Sequence, residues 1–190
     1  MNNKKLIILS SIISIFLIGS AVVFSNLDKN NTYYGDSLNI QNTAVNKSKA
    51  NIGKLDSSHD HVSMLVFING EMLDLSQDKY MLKDQFVHLE DGDGVVVHRH
   101  ATGVTLPYFF STIGISLTQN CITLDTGRQY CDSPSKGKKL LVLVNGEEID
   151  DVTTYEPQHK DKILINYGDD SDVELQFKFN NIPDVPKQLL

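Results

Sequence analysis

The sequence first forms a recognisable pattern at Leu65–Asp74, LVFINGEMLD, and repeats it at Leu141–Asp150, LVLVNGEEID. An Asn-Gly pair between apolar arms favours a type I′ hairpin turn, because both central residues of that turn need positive φ. The offset of 76 residues that aligns these segments also places Val87–Asp93 on Ile163–Asp169 without a gap. We therefore predict two related β-hairpin units, with chance similarity between two Asn-Gly hairpins as the alternative.

A short helix is predicted between the two hairpin units. Thr105 can cap its N-terminus, Pro107 is tolerated in the first turn, and Gly114 can end it. Spacings of three and four residues place four apolar side chains on one face, namely Leu106, Phe109, Phe110 and Ile113. We expect that face to cover a β-sheet.

The order of these elements predicts a small α+β domain, in which a mixed β-sheet wraps on one helix in a β-grasp-like arrangement. The segment DVELQFKF, Asp172–Phe179, predicts an additional edge strand because apolar and polar residues alternate along it. Residues 59–180 would form the globular domain, and residues 181–190 would form a loose C-terminal tail.

The N-terminal residues 1–25 predict a transmembrane signal-anchor helix. Leu6–Phe24 contains 19 residues without a charge, close to the ~20 that span the hydrocarbon core of a bilayer. Lys4 and Lys5 precede this segment, and positive charge on that side predicts an N-terminus inside the cell. The expected protein is a single-pass protein of the cell membrane whose C-terminal domain lies outside the cytoplasm.

A cleaved signal peptide is the alternative interpretation of the same segment. Gly19 and Ala21 would then be the small residues before the cleavage site. Both interpretations place the main domain outside the cytoplasm. Residues 26–58 are rich in Asn, Lys, Ser and Asp, with little apolar periodicity, and they predict a flexible extracytoplasmic tether.

The overall charge and the glycine pattern argue against three classes of partner. The formal net charge is −7, which argues against a nucleic-acid partner and against an anionic membrane surface. The sequence also has neither a Walker nor a Rossmann glycine pattern, so we expect no nucleotide. We see no catalytic motif, and we expect the protein not to be an enzyme.

The two cysteines of the chain, Cys121 and Cys131, stand five residues on either side of Thr126 in CITLDTGRQYC. If the residues around Thr126 form a hairpin loop, the cysteines lie opposite each other, and a cross-strand disulfide is predicted in an oxidising compartment. A redox-active pair is the alternative. Catalytic dithiols usually occur as Cys-x-x-Cys at a helix start, and the spacing here is different.

Histidines are concentrated in one part of the sequence. His98 and His100 flank one residue, as do His59 and His61, and a strand places both members of such a pair on one face. His88 lies between the two pairs in FVHLED. Imidazole is a frequent ligand of zinc and copper, and four nitrogens from two such pairs would suit either ion.

The sequence therefore predicts a copper or zinc site made by these five histidines, with Glu90 and Asp60 as carboxylates that orient the ring N–H groups. His159 lies in a polar loop, and we assign it no ligand role. The alternative is that His98 is an ordinary packed histidine and that the other histidines are solvated.

Five features occur in order between His59 and Asp169: FINGEMLDLS, VHLEDGDGVVVHRHATGVTL, two spaced cysteines, a second VNGE hairpin and DKILINYGD. Together they resemble an uncharacterised family of membrane-anchored extracytoplasmic proteins from ammonia-oxidising archaea, marked by HRHATGVTL. Some members of that family carry the label protein-disulfide isomerase. The resemblance implies a membrane-tethered outer domain in organisms with copper-rich surface chemistry.

These observations leave three hypotheses about function. The first is a membrane-anchored outer domain that binds a transition metal through histidines. The second is a non-catalytic structural or interaction module with a protein partner in the cell envelope. The third is a thiol–disulfide oxidoreductase or isomerase.

Overall fold

The computed structural model describes residues 51–189. The predicted anchor and the first part of the predicted tether lie outside these residues. Within the described part, the chain forms a mixed sheet of seven strands, a small antiparallel sheet of three strands, and two helices. The predicted α+β class is therefore confirmed. No helix within residues 51–189 is both long enough and apolar enough to cross a membrane.

The strands of the described region are short, apart from three that form the centre of the large sheet. They are numbered β1 to β10 in chain order and cover Asp60–Ile68, Glu71–Met72, Val87–His88, Val96–Arg99, Ser116–Leu117, Cys121–Thr123, Gln129–Cys131, Lys139–Val144, Glu147–Glu148 and Lys162–Gly168. Helix α1 covers Leu106–Thr112 and helix α2 covers Asp172–Asn180. Single 3₁₀ turns occur at Asp78–Tyr80, Pro134–Lys136 and Lys187–Leu189.

The large sheet has the strand order β3-β4-β1-β10-β8-β9, and β2 pairs with the end of β1. The central pair, β1 and β10, is parallel, and the other pairs are antiparallel. A parallel pair cannot be joined by a tight turn, and about 90 residues separate these two strands along the chain. That intervening chain supplies α1, the small sheet and the β8–β9 hairpin.

Both predicted Asn-Gly hairpins are present. Asn69 and Gly70 join β1 to β2 with φ values of 52° and 86°. Asn145 and Gly146 join β8 to β9 with φ values of 53° and 91°. Positive φ at both central residues is the signature of a type I′ turn, whose twist matches that of the flanking strands.

Helix α1 covers one face of the large sheet, as predicted. The Oγ1 atom of Thr105 accepts a hydrogen bond from the Tyr108 N–H, and Gly114 follows the helix with φ of 79°. Burial of this face creates the main hydrophobic core. The helix and the sheet contribute residues that are at most 2% exposed, including Leu106, Phe109, Phe110, Val62, Met64, Val66, Ile163 and Ile165.

The predicted edge strand at Asp172–Phe179 is wrong, because these residues belong to helix α2. The helix begins with a capping box, in which the Ser171 side chain accepts from the Glu174 N–H and the Glu174 carboxylate accepts from the Ser171 N–H. Leu175 packs on Leu164, on the opposite face of the sheet from α1. The two helices thus cover different faces, and the prediction of one helix is corrected to two.

Both ends of the described region pack on the domain. Near the start, the Gly53 N–H donates to the Thr102 carbonyl and the Asp56 N–H donates to the His100 carbonyl. Near the end, Ile182 and Val185 are buried. Residues 51–58 therefore contact the loop that follows β4.

Cys121 and Cys131 form the predicted disulfide. They face each other directly in the β6–β7 pair, with Cα atoms 4.1 Å apart. Such a short separation is typical of a non-hydrogen-bonded antiparallel pair, which brings the two Cβ atoms close enough for a bridge. The disulfide closes the hairpin of the small sheet.

Removal of this disulfide should destabilise the domain without abolishing the large sheet. Replacement of Cys121 and Cys131 by serine should lower the free energy of unfolding by about 2–3 kcal/mol, because the unfolded chain regains the freedom of a short closed loop. Urea denaturation of the double variant and of the wild type measures the difference. Equal midpoints and slopes would contradict a structural role.

Candidate functional site

Three histidines lie side by side across the edge of the large sheet. His61 on β1 pairs with His98 on β4, and His98 pairs in turn with His88 on β3. Residues directly opposite each other in antiparallel strands project to the same face. Two of the three are buried, with His61 5% and His98 6% exposed.

Two further histidines complete a closed cluster on this face. Because His61 is opposite His98 in antiparallel strands, the neighbouring pair brings His59 beside His100. We call these five residues, His59, His61, His88, His98 and His100, the histidine cluster. Its successive ring centroids are separated by 4.7 Å (His61–His98), 5.9 Å (His98–His88), 4.9 Å (His88–His100), 5.0 Å (His100–His59) and 5.0 Å (His59–His61).

His159 lies beside the histidine cluster, which the sequence did not indicate. Its ring centroid is 5.9 Å from that of His61, and its Nδ1 atom accepts a hydrogen bond of 3.2 Å from the His61 N–H. The loop that carries His159 enters β10, and β10 runs parallel to β1. All six histidines of the chain therefore occupy one end of one face of the sheet.

The residues between the histidines point to the opposite face. Asp60 pairs with Arg99, and the Arg99 Nη2 donates to the Asp60 Oδ2 at 2.5 Å. The Arg99 Nη1 also donates to the Glu156 carboxylate and to the Ala101 carbonyl. Asp60 thus contacts the guanidinium rather than an imidazole, while Arg99 is almost completely buried.

Glu90 is the carboxylate that lies against the cluster. Its Oε2 is 3.3 Å from the His88 Nε2, and its Oε1 is 3.4 Å from the His98 Nδ1. The Glu90 side chain is 35% exposed, whereas both imidazoles are mostly covered. Glu90 therefore forms the solvent-facing rim of the site.

Burial keeps several of these imidazoles neutral. Desolvation, assisted by the charges of neighbouring histidines, lowers the pKa of His61 from 6.5 to about 4. Desolvation is also the main cause that lowers the pKa of His98 and of His100. A neutral imidazole offers a lone pair to a metal ion, so these rings need not release a proton first near neutral pH.

His61 has a nitrogen that the surrounding protein leaves without a partner. Within the described residues, the His61 Nδ1 is buried and makes no hydrogen bond. A buried polar atom in this state costs free energy, and such atoms in native proteins usually have a specific reason. The Ser63 Oγ and the Arg99 Nε are in the same state within the described residues.

Most ring-centroid distances within the cluster are close to the distance between two imidazoles bound to one metal ion. With Zn–N bonds of ~2.0–2.1 Å, two imidazoles on one tetrahedral ion have ring centroids about 5 Å apart. Four of the five separations in the cluster lie between 4.7 and 5.0 Å. In the conformation seen, however, no group of three or more His, Cys, Asp or Glu residues within 51–189 could hold a metal ion. Rotation of the rings would be needed to direct the nitrogens to one point.

Comparisons with known proteins identify no matching family model, no matching curated protein and no matching solved structure. The chemistry of the site therefore follows from its own residues. Those residues include the five histidines and Glu90 of the predicted site, brought together on one face, while Asp60 lies on the other face.

Acid should destabilise the domain through His61. Burial lowers the pKa of His61 from its ordinary value of 6.5 to about 4 in the folded chain. Between these two pH values, His61 is protonated in the unfolded chain but not in the folded chain. The resulting stability is complete above the ordinary pKa and is lost as the pH falls toward 4, by on the order of 3 kcal/mol.

Urea denaturation of the metal-free chain at about pH 7 and about pH 5 measures this effect. His61→Gln, which does not titrate, should show a smaller loss than the wild type. The remaining loss reports His98 and His100, whose pKa values are shifted in the same direction. A wild type with equal stability at both pH values would contradict the burial of neutral imidazoles.

Proposed function

We propose that this protein binds a copper or zinc ion through the histidine cluster, in a domain anchored outside the cytoplasm. The observation that carries the proposal is the closed cluster of five imidazoles. Neighbouring ring centroids only 4.7–5.9 Å apart bring several imidazole nitrogens within reach of a single ion.

The arrangement of the cluster favours a ligand site over chance proximity. Burying several imidazoles removes them from water, and this desolvation lowers the pKa of His61, His98 and His100. A bound divalent ion offsets the cost of this desolvation, because it accepts the lone pairs of the neutral rings. Three strands, with the residues directly next to β1 and β4, converge to build the cluster, and a bound ion compensates for the cost of bringing these rings together.

The available ligand atoms favour divalent ions. Both cysteines are held in the disulfide, so thiolates do not contribute within the described residues. Imidazole nitrogens suit Cu(II) and Zn(II), while thiolate and thioether sulfur select Cu(I). The proposed cargo or cofactor is therefore Cu(II) or Zn(II).

The proposed location rests on the disulfide and on the N-terminal sequence. Disulfides persist in oxidising compartments, which include the outer side of the cell membrane. The uncharged segment Leu6–Phe24 after Lys4 and Lys5 would anchor the domain there. The resemblance to the archaeal extracytoplasmic family agrees with this location.

A second candidate function is an interaction module of the cell envelope. Helix α2 exposes Val173 and Phe177, which are 79% and 70% exposed. Large apolar side chains at the surface favour contact with a partner when they lie together. The β-grasp-like arrangement and the relation between the two hairpin units also remain proposals, and a duplicated hairpin unit would suit such a module.

Substitution of a histidine within the cluster should weaken metal binding more than substitution of His159, which lies outside it. His98→Ala and His100→Ala should each reduce the affinity for Zn(II) and Cu(II) by at least about tenfold, because each removes one ligand nitrogen. His159→Ala should reduce it less, since the His159 Nδ1 already accepts the His61 N–H. Isothermal titration of the full-length chain with each ion measures the affinities.

Thermal melting of the metal-free variants is the control for folding. The helix α1 core and the Asn-Gly hairpins do not involve the cluster, so all variants should retain a cooperative transition. Equal affinity for both ions in the wild type and in all three variants would contradict the proposal and favour the interaction module.

A further inference from the structure

We propose that Glu90 is itself a metal ligand, and that the ion binds at the corner of the cluster formed by His88, Glu90 and His98. This inference rests on the proposed metal binding and assigns to Glu90 a direct role, in place of the orienting role expected from the sequence. The ligand set is two imidazole nitrogens and one carboxylate, which suits a divalent ion such as Zn(II), Co(II) or Cu(II).

The backbone carbonyl of Asp84 fixes the tautomer of His88. Its Nδ1 is 2.9 Å from the Asp84 carbonyl oxygen. A carbonyl oxygen can only accept, so the Nδ1 carries the hydrogen and the Nε2 of the neutral ring holds a lone pair. Hydrogen bonding of one ring nitrogen to a backbone carbonyl is a common arrangement in histidines that bind metal through the other nitrogen.

That lone pair faces a second acceptor. The His88 Nε2 is 3.3 Å from the Glu90 Oε2, and an ionised carboxylate has no hydrogen to donate. Two acceptors in contact are stabilised by a cation between them, which is either a proton or a metal ion. A shared proton would give an N–H···O distance of about 2.7–2.9 Å, which is shorter than the distance found, so the wider gap fits a larger cation better.

The same carboxylate also faces His98. The Glu90 Oε1 is 3.4 Å from the His98 Nδ1. Ligand atoms on a tetrahedral zinc ion with bonds of ~2.0–2.1 Å are about 3.3–3.4 Å apart. Both nitrogen–oxygen contacts match this separation, and they are made by different oxygens of the carboxylate, so Glu90 must bind one ion through both oxygens or turn to present one of them.

The distance between the His88 and His98 rings explains why the three ligands do not yet meet at one point in this conformation. The rings of His88 and His98 are stacked with centroids 5.9 Å apart, wider than the about 5 Å of two imidazoles on one tetrahedral ion. A rotation of these two side chains that brings the rings roughly 1 Å closer would direct both nitrogens to one ion. His100, whose ring is 4.9 Å from that of His88, is then available as a fourth ligand, and water is the other choice.

The surroundings hold His88 in place and leave the corner open to ions. The Asp84 side chain accepts from the Tyr108 hydroxyl at 2.9 Å and from the Phe86 N–H at 2.7 Å. These bonds fix the loop whose carbonyl holds the His88 ring. Because Glu90 is partly exposed, an ion from solvent reaches its carboxylate before it reaches the buried rings.

The test compares Glu90→Gln, Glu90→His and the matched control Asp91→Asn in the full-length chain. Asp91 is an exposed carboxylate in the same turn and has φ of 56°, a conformation that asparagine tolerates. Zn(II) affinity is measured by titration, and Co(II) absorption in the visible range reports the coordination. Thermal melting of each variant without metal checks folding.

Glu90→Gln should lower the Zn(II) affinity by more than about 100-fold and change the Co(II) spectrum, because loss of a ligand exceeds the 10- to 100-fold effect of an orienting group. Glu90→His should restore affinity to within about tenfold, since imidazole can bind the ion. Asp91→Asn should change neither measurement.

The opposite pattern would overturn the role of Glu90. If Glu90 only accepted ring N–H groups, the glutamine amide oxygen would replace it, and Glu90→Gln would bind better than Glu90→His with an unchanged Co(II) spectrum. Wild-type chain that binds neither Zn(II) nor Co(II) would overturn the proposed metal binding itself, and the two failures are thereby distinguished.

Discussion

The pairing register of β1 with β4 is the constraint on which the candidate site depends. His61 lies opposite His98, and Asp60 lies opposite Arg99. Side chains alternate between faces along a strand, so a shift by one residue would turn every histidine of one strand away from those of the other. The observed register also places Asp60 against the buried guanidinium of Arg99, and a shift would cost this ion pair, leaving Glu156 as the remaining carboxylate partner of Arg99.

This register separates two kinds of chemistry on the two faces of one short strand pair. The face that carries Arg99 continues into the α1 core, where the charge is neutralised by Asp60 and Glu156. The face that carries His98 holds neutral imidazoles and continues into the apolar contact between the sheet and α2. One strand pair can carry both sets of polar side chains because side chains alternate between the two faces. The histidines and the Arg99 ion pairs lie at the same end of the sheet, on opposite faces.

Much of the site could be predicted from the sequence because its rules are local. Alternation along a strand is enough to place His98 with His100 and His59 with His61. Symmetry about Thr126 is enough to pair Cys121 with Cys131. The Asn-Gly dipeptides and the caps of α1 likewise act through their immediate neighbours, and the structure contains the elements that they predict.

The features that the sequence did not reveal depend on contacts between distant segments. His159 reaches His61 only because β10 runs beside β1 in parallel, and no local pattern indicates that pairing. Helix α2 is a different case, since the Ser171-x-x-Glu174 capping box was a local signal. The alternation of apolar and polar residues that begins at Val173 predicts a strand instead, but in the structure Val173 and Phe177 are exposed, and Leu175 is the buried residue of the helix.

The most direct test of this account is the position of a bound ion. Crystals of the zinc-loaded full-length chain would be measured on both sides of the zinc absorption edge, and the anomalous difference map would locate the metal. We expect one strong peak at the corner between His88, Glu90 and His98, with nitrogen and oxygen ligands at about 2.0–2.2 Å. A fully loaded crystal whose peaks all lie away from the histidine cluster would contradict the account.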